Sequence, residues 1–218
     1  VKPARGEQGR GVAVGLTTMD QIAAATREAR AISAEVIVEE YINGSDLRLV
    51  IINHKLVAAA VRRPPEVVGN GGKTIRQLIA SQSRRRASAT GGESSIPFDA
   101  ETERTVRNAG YELADVLPEA ETLEVRKTAN LHTGGTIHDV TDIVHRKLVD
   151  DAIRLTKAID IPVAGIDFMI KAPDKPDYWF IEANERPGLA NHEPHPTAER
   201  FIDLLFPLTA NRSERPDL

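Results

Sequence analysis

Tyr178-Trp179-Phe180-Ile181-Glu182-Ala183-Asn184-Glu185-Arg186-Pro187-Gly188 is an apolar run that ends in a carboxylate and a carboxamide with one residue between them. Alternation along an extended strand puts residues i and i+2 on one face, so Glu182 and Asn184 offer two oxygen donors side by side. Upstream, Val163-Ala164-Gly165-Ile166-Asp167-Phe168-Met169-Ile170 is a second strand-like run with one acid inside it. The turn-rich Ala172-Pro173-Asp174-Lys175-Pro176-Asp177 joins the two. A hairpin closing between Asp174 and Lys175 lays Asp167 opposite Glu182, so Asp167, Glu182 and Asn184 converge as metal ligands. Hard divalent cations take oxygen sets of this kind, and Mg²⁺ usually arrives holding substrate phosphates. Any one of these residues is an ordinary strand-end or turn residue; three donors in register are the reason to read a site.

The rest of the chain limits what such a site serves. Its 218 residues are 41% hydrophobic and 28% charged, enough apolar material for one large domain or two small lobes. A net charge of −4 and a pI near 5.9 give no reason to expect nucleic acid or an anionic membrane as a partner. Cysteine is absent, which excludes disulfides, Cys-ligated zinc and thiol catalysis and fits a reducing, cytoplasmic setting. No apolar run approaches a membrane span, and no signal peptide opens the chain. The first residues, Val1-Lys2-Pro3, lack Met and read as the end of a strand, so an excerpt from a longer polypeptide is expected.

Strands and helices alternate along the sequence. Gly6-Glu7-Gln8-Gly9-Arg10-Gly11 is a glycine-rich loop, followed by an apolar run from Val12 to Leu16 and a capping signal at Thr17-Thr18-Met19-Asp20 for a helix to about Ile32. Glu35 to Glu40 reads as a strand, and Leu47 to Ile52 with Lys55 to Val61 as a hairpin across Asn53-His54. Thr74-Ile75-Arg76-Gln77 caps a short helix. The polar stretch Ser81 to Ser95, with Arg84, Arg85 and Arg86, reads as a mobile loop or a solvated insertion. Further helices are expected over Ala100 to Val116, over Val144 to Ile159 with Val144, Leu148, Ala152, Leu155 and Ile159 on one buried face, and over Thr197 to Leu205.

Closely spaced glycines let backbone N–H groups approach an anion, and Lys2 stands just before them, which suggests a phosphate cradle; an ordinary surface turn explains the same glycines. Gly72-Lys73-Thr74 before a helix imitates the end of a P-loop, but the leading glycine would have to stand at position 67, which is Val67. His192-Glu193-Pro194-His195 is interrupted by proline and reads as a loop rather than a metal site. His132 and His138 flank the glycine pair Gly134-Gly135 and are not assigned as general bases.

Taken in order, the Val-Lys-Pro strand, the glycine loop, Val38-Glu39-Glu40-Tyr41-Ile42, Gly44-Ser45-Asp46-Leu47-Arg48, Arg62-Arg63, Asn130-Leu131-His132-Thr133-Gly134-Gly135 and the Asp167 and Glu182/Asn184 set resemble the ATP-grasp superfamily of carboxylate–amine ligases. The resemblance covers nearly the whole chain. Within the superfamily it resembles the branch of cyanophycin synthetases and ribosomal-protein glutamate ligases. The text of residues 126–140 and 181–194 is similar to the ATP-grasp part of bacterial N-acetylglutaminylglutamine synthetases.

The resemblance implies an α+β fold of two lobes with mainly antiparallel sheets gripping the nucleotide. Residues 1–45 would form the nucleotide-gripping lobe and 46–218 the metal- and substrate-binding lobe, with an upstream substrate lobe and a further nucleotide-binding lysine lying before Val1. It implies ATP and Mg²⁺, or Mn²⁺, as cofactors and amino acids or a dipeptide as substrates. Lys2 and the loop carrying Gly6, Gly9 and Gly11 would hold the phosphates. Glu39, Glu40, Tyr41 and Ile42 would form the adenine hinge, Asp46 would reach the ribose or a nearby basic residue, and Asn130 would add a nucleotide contact. Asp167, Glu182 and Asn184 would hold the metal, Arg63 would steady the transferred phosphoryl, and Arg186 would bind a substrate carboxylate. N-acetylglutaminylglutamine synthesis is the expected activity, with a cyanophycin-like ligase acting on aspartate and arginine, or a non-catalytic nucleotide-binding lobe, as alternatives. This fragment alone is expected to be inactive, and the strand edge where the upstream lobe would dock to invite self-association.

Overall fold

The structure, a computed structural model, describes residues 1–6, 10–189 and 195–208. Its elements run β1 (Lys2–Pro3), α1 (Met19–Arg30), β2 (Val36–Ile37), β3 (Ser45–Ile52), β4 (Lys55–Arg63), β5 (Glu66–Val68), α2 (Ile75–Ala89), α3 (Ala100–Asn108), β6 (Thr122–Glu124), a 3₁₀ turn (Leu131–Thr133), β7 (Thr136–Asp139), α4 (Arg146–Ala158), β8 (Val163–Ile170), β9 (Tyr178–Asn184) and α5 (Thr197–Leu205). The fold is α+β, as the sequence implies, and the chain forms two compact units: Val1–Tyr41 with Arg63–Thr136, and Ile42–Arg62 with Ile137–Leu218. Within the first unit, Val67, Ile75, Ile79, Val106 and Leu123 close a core of their own.

In the first unit β1 pairs antiparallel with β2, Lys2 opposite Ile37, and α1 buries Ala25 and Ala29. Thr18 caps α1 in a capping box with Gln21, as its sequence signals. β5 and β6 pair antiparallel, with Val67 opposite Leu123. Three expectations change here. The stretch from Ser81 is helix as far as Ala89, not loop, because it contains no glycine or proline before Gly91 and its Arg, Ala and Gln residues are good helix formers. The helix expected to reach Val116 stops at Asn108, since Gly110 turns the chain with φ of +87°. The strand expected over Glu35 to Glu40 shrinks to Val36–Ile37.

The second unit holds a five-stranded sheet in the order β7-β4-β3-β8-β9, in which β4 with β3, β3 with β8 and β8 with β9 are antiparallel. The turn between β3 and β4 carries Asn53 and His54 at φ of +52° and +55°, the left-handed pair that a two-residue hairpin turn needs. Leu47, Leu49 and Ile51 of β3 and Ile166, Phe168 and Ile170 of β8 face α4, whose Leu148 and Ala152 are wholly buried against them. Ile159 leaves the expected α4 face as the helix cap, 43% exposed. On the opposite face Val50, Ile52 and Ala58 meet Phe201 and Leu204 of α5. Beyond the reach of α5, that face turns polar.

Candidate active site

The polar half-face is built from alternate positions. On β3, Asp46 and Arg48 follow the phase of Val50 and Ile52, pointing away from α4. On β8 the same phase gives Gly165, Asp167 and Met169. Register joins them: Arg48 pairs with Asp167 and Asp46 with Met169.

β9 enters this face only through a bulge. Next to the turn its register is Ile170 to Tyr178 and Phe168 to Phe180, which puts Tyr178 and Phe180 beside Phe168. Unbroken alternation would then drive Glu182 and Asn184 towards α4. A register shift between Asp167 and Phe168 adds one residue to β9, after which Asp167 lies opposite Glu182 and Gly165 opposite Asn184. The pairing of Asp167 with Glu182 is the expected one; near the turn the register is one residue off a hairpin closing between Asp174 and Lys175. Bulges recur where a side chain must be re-aimed.

β4 carries a second bulge, at the shift between Val50 and Ile51, and it selects an arginine. A regular hairpin from Asn53-His54 would set Asp46 across from Val61 and bring Arg63 to its face. The shift sets Asp46 across from Arg62 instead, while Arg63 is exposed. Arg62 Nη2 donates to Asp46 Oδ1 at 2.7 Å and to Asp167 Oδ2 at 2.8 Å. Arg48 donates to both oxygens of Asp167, Nε to Oδ1 at 2.7 Å and Nη2 to Oδ2 at 2.6 Å. The Asp167 side chain is 4% exposed and each arginine 16%. Burial pushes the Asp46 carboxyl above its ordinary value, against the opposing pull of Arg62. Burial also works against the Arg62 charge, but Asp167 and Asp46 outweigh it and its pKa rises.

This donor set fits a hard divalent cation. Asp167 and Glu182 face each other across one ladder rung, and Asn184 lies on the same side of β9. The Asn184 amide oxygen accepts from the Arg186 N–H at 2.9 Å and keeps a second lone pair. Among the described residues no group of three His, Cys, Asp or Glu is placed to hold a metal, so a cation here would draw on the Asn184 amide beside the two carboxylates. The Arg186 side chain is 90% exposed, its Nε 3.8 Å from Glu185.

The remaining candidates fall in the first unit, apart from Ile42, which opens the second. Lys2 Nζ lies 2.8 Å from Glu39 Oε2, joining the residue expected at the phosphates to one expected at the adenine. Glu39, Glu40 and Tyr41 are exposed, in a stretch without regular structure. Gly11 has φ of +71°, and a Cβ there would come within 2.5 Å of Ile32. At Gly6 a Cβ would lie 3.2 Å from Pro3 Cγ, while Gly9 and residues 192–194 of the His192-to-His195 stretch lie outside the described residues. Asn130 caps the 3₁₀ turn, its side chain accepting from the His132 N–H at 2.8 Å. An open hollow of about 460 Å³ is lined by Arg10, Glu93, Ser95, Pro97, His132 and Thr133.

No family model matches the chain. It is 34% identical over 220 residues to the cyanophycin synthetase of Trichormus variabilis, covering 95% of this chain and 24% of that protein. It is 28% identical over 221 residues to the glutathione biosynthesis bifunctional protein of Listeria innocua, covering 94% and 28%. Among solved structures, a bifunctional glutathione synthetase from Pasteurella multocida superposes with a TM-score of 0.60 at 24% identity, covering 95% of this chain and 31% of that one. D-alanine–D-alanine ligase from Bacillus anthracis superposes at 0.50 and 15%, covering 94% and 50%. The chain belongs to the ATP-grasp family. It spans about a quarter of the length of the curated relatives it matches. In this ATP-grasp chain, sequence reasoning missed Arg48 and Arg62 as site residues. Arg48 was findable, being two positions from Asp46 on the same strand; Arg62 was not, because its face depends on the bulge.

Proposed function

We propose that this chain is the nucleotide- and metal-binding part of an ATP-dependent carboxylate–amine ligase. The observation that carries this reading is the ladder rung that sets Asp167 against Glu182, with Asn184 alongside and two arginines behind. A carboxylate is a poor electrophile with a poor leaving oxygen. Transfer of the ATP γ-phosphoryl to it gives an acyl phosphate and ADP; attack by an amine then forms the amide and releases phosphate. The protein's part is positioning and charge compensation, and no side-chain nucleophile is called for.

Lys2 and the loop of Gly6, Gly9 and Gly11 bind phosphates in this reading, Glu39 to Ile42 receive the adenine, and Asp46 and Asn130 complete the nucleotide contacts. Asp167, Glu182 and Asn184 hold Mg²⁺, or Mn²⁺ in its place, which when bound neutralises charge on the β- and γ-phosphates. Arg62, already among the acids, joins Arg63 as a candidate for the charge on the transferred group, and Arg186 is free enough of burial to meet a substrate carboxylate. The text of residues 126–140 and 181–194 supports an amide between glutamine-type amino acids as the product, in a cytoplasmic enzyme whose other parts seat the acceptor. The similarity to cyanophycin synthetases supports a peptide ligase on aspartate and arginine as the second reading.

Mass spectrometry of products made by the full-length protein from ATP and a panel of amino acids and N-acetylated amino acids decides between them. Amino-acid-dependent ADP release with a new amide is expected. Tight nucleotide binding with no ADP release on any pair would leave a nucleotide-binding lobe without catalysis.

A further inference from the structure

We infer that Arg48 and Arg62 hold Asp167 closed, so that the metal site admits a divalent cation only together with a polyphosphate. This rests on the ligase reading above and concerns what couples metal to nucleotide within it. The expected ligands by themselves would bind a bare cation, as exposed oxygen clusters do. Here the central one is covered. Both Asp167 oxygens accept from guanidinium N–H groups, three donors in all at 2.6 to 2.8 Å, against about four lone-pair positions on a carboxylate. The arginines leave 4% of the Asp167 side chain exposed. A cation reaches it only by displacing one of them.

Charge arithmetic points the same way. Arg48, Asp167, Arg62 and Asp46 form an alternating row that is neutral as a set. A lone dication reaching Asp167 meets two guanidinium charges and must displace either the Arg48 fork or the single Arg62 hydrogen bond. A polyphosphate changes the balance, since its oxygens give the released guanidiniums a new partner of the planar, forked kind that arginine suits. The strands fix this arrangement: Arg48 of β3 lies opposite Asp167 of β8, and Arg62 of β4 lies opposite Asp46, two positions along β3. Arg48 and Arg62 are thus positioning residues for the metal ligand as well as candidate phosphate contacts.

The test compares two affinities of the full-length protein whose changes have opposite signs. Nucleotide-free Mn²⁺ binding, followed by the paramagnetic resonance of free Mn²⁺, should be undetectable at the Asp167 site of the parent up to about millimolar metal. It should tighten by about tenfold or more in Arg48→Gln and in Arg62→Gln, since each removes one positive charge beside the cation. Binding of a non-hydrolysable ATP analogue in Mg²⁺, measured by calorimetry, should weaken by about tenfold or more in the same variants, since each removes a phosphate partner. Adding Asp167→Asn to Arg48→Gln should abolish the gained Mn²⁺ site. General damage to the fold weakens both affinities together, so the opposite signs cannot arise from misfolding. Changes of the same sign in both arginine variants, or parental Mn²⁺ binding equal to theirs, overturn this inference alone. Failure of the parent to bind the analogue in Mg²⁺ overturns the ligase reading and this inference with it.

Discussion

Arg126→Met should cost this protein about 3 kcal/mol of stability. The Arg126 side chain is 5% exposed and that of Glu101 7%, and the two are ion-paired. Arg126 Nη1 also donates to Asp99 at 2.6 Å and to Thr102 at 2.8 Å. Glu101 in turn accepts the Lys127 and Thr128 N–H groups at 3.1 and 2.9 Å, so one carboxylate ties α3 to the segment leading to Asn130. Removing one partner of a buried pair typically costs about 3–5 kcal/mol, because the other is left charged and unpaired. Three hydrogen bonds remain on Glu101, two from backbone and one from the Thr128 hydroxyl, and Asp99 is 46% exposed and open to water; the lower end, about 3 kcal/mol, is therefore expected. For a chain of this size that corresponds to a fall in Tm of about 6–12 °C. Urea unfolding followed by far-UV circular dichroism measures it. The companion variant Arg126→Met with Glu101→Gln keeps an acceptor for the two N–H groups while removing the orphaned charge, and should recover about 1–2 kcal/mol. A loss below about 1 kcal/mol for Arg126→Met, or no recovery in the double variant, would refute the view that an unpaired buried carboxylate dominates the cost.

Glu182→Gln and Asn184→Ala should each abolish ATP-dependent ligation by the full-length protein while moving Tm by no more than about 2 °C, since neither residue is buried; near-normal turnover in either would count against the metal assignment. Gly134→Ala should cost about 2–3 kcal/mol in urea unfolding, because Gly134 sits at φ of +96° and a Cβ would run into Ile96. The hydrogen bond from Lys147 holds the Asp151 carboxyl below its ordinary 3.8, helped by Tyr178 and Arg154 against the opposing effect of burial. A lowered pKa in the folded state stabilises above the unfolded value and stops doing so as pH falls through the folded one. The Tm advantage of the parent over Asp151→Asn should therefore be constant near neutrality and shrink below pH 3.8; an advantage that grows on acidification would reverse the sign of this argument.

The hairpins were legible because turn chemistry is local: Asn53-His54 and the stretch from Ala172 to Asp177 sit between apolar runs, and both connect antiparallel strands, although the second closes one residue off Asp174-Lys175. The start of α2 was legible in its Thr74 cap, but its second half from Ser81 is hidden by its polarity, and the better signal there is the absence of a breaker before Gly91. The site depended on something between these, the phase of each strand after a bulge, and the two bulges differ in how far the sequence reveals them. In β9, Tyr178 stacks on Phe168 and Phe180 meets the same ring edge-on. Continuing their phase would press Glu182 into the apolar contacts beneath α4, where an unpaired carboxylate costs several kcal/mol. One residue lost from the ladder costs about 1 kcal/mol, so the acid two positions after Phe180 in itself argues for a bulge. In β4 no such conflict exists. Leu56 to Val61 is apolar on both faces and is followed by two arginines in succession, so either phase buries the same kind of surface and offers one arginine to Asp46. Only the pairing between β3 and β4 decides between Arg62 and Arg63, and a single inserted residue reverses the answer.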